Sequence, residues 1–169
     1  QAGASFRSDL NNELQSLVSG SSGAAAPGTT YAYQIWNDTT TNLRKQRNAA
    51  NSGWLVRGSL DETFVVSRSS NTILVGSDFG KTFVFTAGGF TQTLTAAATL
   101  GDGWFCYLKN SGSSVIPLDP NSSETINGAT TRNLYPGQTM LLRCTGTAFH
   151  AALMPSTEKG TEYFGFDST

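Results

Sequence analysis

Apolar residues recur at Phe6, Leu10, Leu14 and Leu17, and these spacings of four, four and three draw one stripe along a helix. Ser8, Asp9, Asn11, Asn12, Glu13 and Gln15 fill the other faces. The pattern predicts a helix of about three turns. Such a helix is marginal alone in water, so its stripe either docks on its own domain or pairs with copies of itself. Residues 19–28 are small, with no side chain able to form a core, and read as a linker between a stem and a head.

From residue 31 the pattern becomes β. Residues 31–36, 43–47 and 54–57, separated by turn-rich stretches, predict a three-stranded meander. Further strands are expected at 64–67, 72–75, 82–86, 92–95, 104–109, 114–118, 139–143 and 148–153, with glycines punctuating them. Pro136-Gly137 fits a type II turn, in which Pro presets the first central residue and Gly takes the positive φ of the second. No segment beyond residue 30 shows helical periodicity. The expectation is a mainly β protein, an antiparallel β-sandwich of jelly-roll-like form with a short N-terminal helix. Residues 1–30 form the stem and linker, and 31–153 the head, divided into a meander at 31–58 and a sandwich at 63–153. Residues 154–169 form a tail or arm carrying Tyr163, Phe164 and Phe166.

At 169 residues the chain holds one domain, or one domain with a short appendage. Charged residues make up 14% with a net charge of −1, which gives no support to a nucleic-acid partner, since that needs a basic excess. The apolar runs are far below the ~18 to 20 residues that cross a bilayer, so no membrane insertion is expected. The first residue is Gln1, followed by neither a basic segment nor an apolar core, and the compartment is not readable from a leader.

Little in the sequence advertises catalysis. His150 is the single histidine, and Cys106 and Cys144 show no metal-ligand spacing and sit in strand patterns as small buried thiols. Asp78-Phe79-Gly80 matches a kinase tripeptide without any of its companions and reads as a turn. Asp119 and Glu124 flank a loop rather than a cleft, against the paired carboxylates of a glycosidase. No catalytic residue, no metal and no cofactor is expected, and the chain reads as a non-enzyme.

Binding chemistry is more promising. Trp36, Trp54 and Trp104 are suited either to a core or to stacking on sugar faces. Arg44-Lys45-Gln46-Arg47 is the one dense positive cluster. In a strand Arg44 and Gln46 face one way, Lys45 and Arg47 the other. The cluster serves either as a charged edge that discourages strand pairing or as a contact to phosphate, carboxylate or a neighbouring subunit. Trp36, Trp54, Arg44, Lys45 and Arg47 are therefore the candidate receptor or subunit contacts. Phe6, Leu10, Leu14 and Leu17 are the candidate oligomerisation residues.

Two stretches resemble known modules. The segment from Tyr31-Ala32-Tyr33-Gln34-Ile35-Trp36-Asn37-Asp38-Thr39-Thr40 through Leu43-Arg44-Lys45-Gln46-Arg47-Asn48 to Trp54 resembles one that recurs in tail fibres and other tail-appendage proteins of bacteriophages. The second runs from Asp78-Phe79-Gly80-Lys81 through Asp119-Pro120-Asn121-Ser122-Ser123-Glu124-Thr125-Ile126-Asn127-Gly128 and Tyr135-Pro136-Gly137 to Phe149. It is similar to a β-sandwich module of phage tail proteins, with Thr145-Gly146-Thr147 in place of the more usual Asp-Gly-Thr.

The resemblance implies a structural protein of the virion, assembled in the bacterial cytoplasm and attached by its N-terminal end. It also implies a homotrimer, contact with other tail or baseplate proteins, and adhesion to a host-surface glycan. No sugar-binding motif comes with it. The alternatives are a carbohydrate-binding module, which predicts a monomer with an exposed tryptophan, and a fragment of a tail-borne polysaccharide depolymerase, which predicts carboxylates in a groove.

Overall fold

The computed structural model describes residues 2–18, 20–61 and 64–155; the aromatic residues of the expected arm, Tyr163, Phe164 and Phe166, lie outside the described residues. The first element is helix α1 (Ala2–Val18), 17 residues long and therefore nearly five turns rather than three. The four residues Ala2 to Ser5 add about one turn ahead of the stripe. Every described side chain of α1 is exposed, with Phe6 at 68% and Leu17 at 77%. The stripe is not docked on the chain's own head.

The chain then enters a four-stranded sheet in the order β1 (Ser22–Gly23), β2 (Ile35–Asp38), β3 (Leu43–Arg47), β4 (Trp54–Ser59). The last three form the expected meander. The first strand starts four residues later than predicted because Tyr33 sits at φ +66° and turns the chain before Ile35. Strand β1 lies within the stretch read as a featureless linker. It pairs in parallel with β2, Ser22 opposite Asn37, and the Gly23 carbonyl accepts from the Trp36 indole at 3.1 Å and from Thr39 N at 3.2 Å. Backbone groups, which any small residue carries, supply the attachment. Strand β3 lies inside this sheet, paired on both sides, so the reading of Arg44-Lys45-Gln46-Arg47 as a solvated edge is corrected.

The remaining strands form two more sheets. One has the order β12 (Phe149–Met154), β11 (Thr139–Thr145), β8 (Asp102–Asn110), β6 (Thr82–Phe85), β5 (Val65–Arg68); the other runs β10 (Arg132–Leu134), β9 (Ile116–Asp119), β7 (Gln92–Thr93). The fold is mainly β, as expected, but its sheets are mixed rather than antiparallel. The pairs β5/β6, β6/β8 and β7/β9 are parallel. Parallel neighbours need a long crossover, usually a helix. Here irregular stretches do the crossing: residues 69–81 hold a 3-10 turn (Gly76–Asp78), and residues 86–101 hold β7 and the one-turn helix α2 (Ala97–Leu100). Neither is long enough to leave a helical period in the sequence.

One hydrophobic core takes side chains from both of these sheets: Phe83, Phe85, Trp104, Leu108, Met140, Leu142 and Phe149 from the larger, and Ile116, Leu118 and Leu134 from the smaller. The strand expected at 72–75 is absent. Its alternation is real, with Leu74 fully buried between exposed Ile73 and Val75, but it makes only an isolated bridge to Leu94 before the 3-10 turn begins. The two outer edges of the larger sheet differ. At β12, residues 125–127 cover the free side: Phe149 N donates to Thr125 O, and the Asn127 amide bonds Ala151 N and O at 2.9 and 2.8 Å. Among the described residues no strand pairs with the outer side of β5.

Two loops cross at near backbone contact. A Cβ at Gly88 would lie 2.4 Å from the Ser114 Cβ, and one at Gly112 would lie 2.9 Å from the Ala87 carbonyl carbon. Buried Asn110 ties the same crossing together, donating to Ser114 O and Leu134 O at 2.9 Å each and accepting from Gly112 N at 3.0 Å. Gly88→Ala should therefore lower stability by about 1 to 3 kcal/mol, whereas Gly28→Ala, with open space around its Cβ, should be close to neutral. Urea unfolding checks this through a lower midpoint at unchanged slope.

Candidate functional site

The β2–β3 turn is organised by one side chain. Asp38 is 3% exposed, and its Oδ1 accepts from Thr40 N at 3.0 Å and Thr41 N at 3.2 Å. Its Oδ2 accepts from the Thr41 hydroxyl and from Lys45 Nζ, both at 2.6 Å. An Asx residue that bonds the backbone two and three residues on is what an Asn-Asp-Thr-Thr-Thr sequence favours. Burial pushes the Asp38 carboxyl upward, but the Lys45 and Thr41 hydrogen bonds outweigh it and hold the group below its ordinary value.

Lys45 stands opposite Trp36 in the register, and Arg47 stands opposite Trp54. These four side chains share one face, as the two-residue period requires. Lys45 Nζ lies 5.0 Å over the Trp36 ring, the Arg47 guanidinium lies 5.1 Å over the Trp54 ring, and the two indoles meet at 5.2 Å. Arg47 is fixed further by the side chain of Asn51 at 2.8 Å and by its carbonyl. Cations held over indole faces contribute roughly 0.5 to 1 kcal/mol each, more when desolvated.

This face forms one wall of a cleft of about 550 Å³, with Thr40, Thr41, Leu43, Lys45, Trp54 and Val56. The opposite wall comes from Val75, Gly76 and Ser77 and from residues 98–102 around α2. The cleft therefore lies between the four-stranded sheet and the rest of the head. Of the predicted contact residues, Trp54 and Lys45 line it. Arg47 stacks on Trp54, while Arg44 is exposed on the other face of the sheet. Trp36 is 6% exposed, its indole N–H is spent on Gly23, and it packs against Lys45 and Trp54 without lining the cleft. Phe6, Leu10, Leu14 and Leu17 stand apart on α1 and are all exposed.

A second charged cluster joins the two parts of the head. Lys81 Nζ lies 2.8 Å from Asp61, which follows the meander, and 3.6 Å from Asp78. Asp78 also accepts from Val75 N at 3.0 Å and pairs with Arg68 at 3.5 Å, and Arg68 covers the Phe83 ring at 4.1 Å. The sequence reading took Asp78 for a turn residue and passed over the ion pairs, because their members are scattered along the chain.

The other residues weighed for chemistry have structural surroundings. Glu124 receives Ala97 N on both carboxylate oxygens, at 2.9 and 3.1 Å, at the start of α2. His150 is exposed on β12 opposite Arg143. Both cysteines are free and buried, and burial pushes both thiols up, Cys106 strongly. Among the described residues no cluster of histidine, cysteine and carboxylate side chains suited to a metal is found. Compared with protein-family models the chain matches none, and no sequence among curated proteins matches it.

Asp38→Asn should destabilise the protein by about 1.5 to 3 kcal/mol, the range for hydrogen bonds to charged groups. Because the folded value lies below the ordinary 3.8, the carboxylate's stabilisation is present above about pH 4 and is lost as pH falls through the folded value. Denaturation of both proteins between neutral pH and pH 2 should show a shallower acid loss in the variant. Parallel curves would contradict this role for Asp38.

Proposed function

We propose that the chain is a non-enzymatic structural protein of a bacteriophage tail appendage, a fibre or spike component carried in the virion and assembled in the bacterial cytoplasm. In this reading the five- and three-stranded sheets close over their common core as a jelly-roll-like sandwich. Three copies join through parallel α1 helices, with the N-terminal end toward other tail or baseplate proteins and the heads toward the host surface.

One observation carries the reading. A 17-residue helix bears an apolar stripe, and every described side chain of it is exposed. An isolated helix of this length is marginal in water. Copies of the same helix are the simplest cover, because they present the same stripe at the same height. The Gly23 carbonyl on the Trp36 indole supports the same arrangement, since it anchors the chain to the head shortly after the stem ends. The family resemblance supplies the virion context.

Light scattering on the full chain should give three times the 17.9 kDa chain mass. Leu10→Glu together with Leu14→Glu should reduce it to one chain while the head stays folded. These substitutions are a better test than removing residues 1–28, which would also remove β1 from the sheet. A monomeric parent chain would overturn the stem. Assembly in a reducing cytosol also requires both cysteines to stay thiols. Unfolding without reductant should therefore release two titratable thiols, and the folded protein should react slowly, since both are buried.

A further inference from the structure

We infer that the outer face of the five-stranded sheet is a docking surface for residues 156–169 of the same chain, a segment that lies outside the described residues. The register defines this face. Val65, Thr82, Tyr107, Leu141 and Ala152 stand in one row across the five strands, on the side opposite the core, since they alternate with buried Phe83, Leu108 and Leu142. Two residues along, Phe105, Arg143 and His150 make a second row. Two residues the other way, Val84 and Lys109 lead through Thr139 to Met154 at the end of β12. A sheet face left to water is expected to carry polar side chains. This one sets Tyr107 beside Leu141, with Phe105 edge-on to Tyr107 at 6.0 Å, and leaves Val65 and Met154 63% and 44% exposed. Its three rows hold Lys109, Arg143 and His150 and no carboxylate. A hollow of about 400 Å³ opens at the β12 side of the face, beside Leu141, Arg143 and His150.

Charge, rings and reach point to one occupant. Residues 156–169 carry Glu158, Glu162 and Asp167 against the single cation Lys159, together with the rings of Tyr163, Phe164 and Phe166. An acidic segment with large rings complements a basic face with apolar side chains on both counts. The segment also starts at the border of that face, since Pro155 follows Met154 of β12. The row of Arg143 and His150 lies four residues back along β12, about 14 Å away at the rise of a strand. Residues 156–169 span at most roughly 46 to 50 Å when extended, so reach is ample, and Lys159-Gly160 suits a reversal of the chain. A segment tethered this close meets its site at an effective concentration of about a millimolar, which favours its own sheet over that of a second copy in dilute solution. The inference does not depend on the stem or on the number of copies.

Mild chymotrypsin digestion of the full chain, with mass detection of cuts after Tyr163, Phe164 and Phe166, reads the docking, because cleavage follows the open fraction. A synthetic peptide of residues 155–169 gives the undocked rate. The chain should be cut at least about tenfold more slowly than the peptide. Arg143 is exposed, so Arg143→Glu leaves the core untouched, and it should bring the rate to within about threefold of the peptide while the unfolding midpoint of the head stays unchanged. Equal rates for chain and peptide overturn the docking, as does protection that Arg143→Glu leaves intact. Protection should survive Leu10→Glu together with Leu14→Glu, which separates copies joined at the stem. Its loss in that variant would hand the face to a neighbouring copy and overturn docking within one chain. A monomeric parent chain with a protected segment would overturn the trimer and leave this docking standing.

Discussion

The Asp38–Lys45 ion pair is the contact around which the four-stranded sheet and its cleft are built. A carboxylate taken out of water is costly unless its lone pairs are met, and here four hydrogen bonds meet them. The same ammonium covers the Trp36 ring, so one lysine serves both the turn and the packing of the sheet. Trp36 in turn gives its N–H to Gly23, which carries the chain from the stem onto the sheet. Removing the Lys45 charge would leave the Asp38 carboxylate buried without its ion-pair partner, so the pair ties together the conformation of a turn, a ring and an entering strand.

The rest of the head is held by apolar burial and by a few polar side chains at crossing points. Asn110, Glu124 and Asn127 each bond backbone groups that no strand partner reaches. Glu124 does so at α2 inside a crossover, Asn127 along the edge of β12, and Asn110 where the loop after β8 passes β10. The Arg68, Asp78, Lys81 and Asp61 cluster does the equivalent task between the sheet and the body, with charges in place of amides.

What was legible in the sequence was whatever repeats with a period. The stem stripe at Phe6, Leu10, Leu14 and Leu17 carried over as a helix that leaves the stripe exposed, and the alternation in β8 and β11 carried over because burial enforces it. The Pro136-Gly137 turn was legible for a different reason, since Gly137 needs its φ of +79°. Pairing partners were not legible: a strand that alternates looks the same beside a parallel or an antiparallel neighbour, so the mixed sheets were read as antiparallel. Backbone-only structure such as β1 leaves no side-chain trace. Half of the candidate site was visible as Trp54 and Lys45, but the wall from Val75 and α2 comes from irregular segments whose closeness depends on the long crossovers.

The two unlike edges of the five-stranded sheet bear on how the protein behaves before it reaches any partner. Among the described residues no strand lies on the outer side of β5, where Val65 is 63% exposed, and an edge of that kind is a template onto which another chain can add. Growth of a fibre by repeated addition needs the newcomer to offer a free edge of its own to the next molecule. The strand at the far side, β12, is occupied along its beginning by the chain's own Asn127 and Thr125. Among the described residues the sheet is capped over Phe149–Ala151 on one side and unpaired along β5 on the other, so an added strand would meet fewest obstacles at β5.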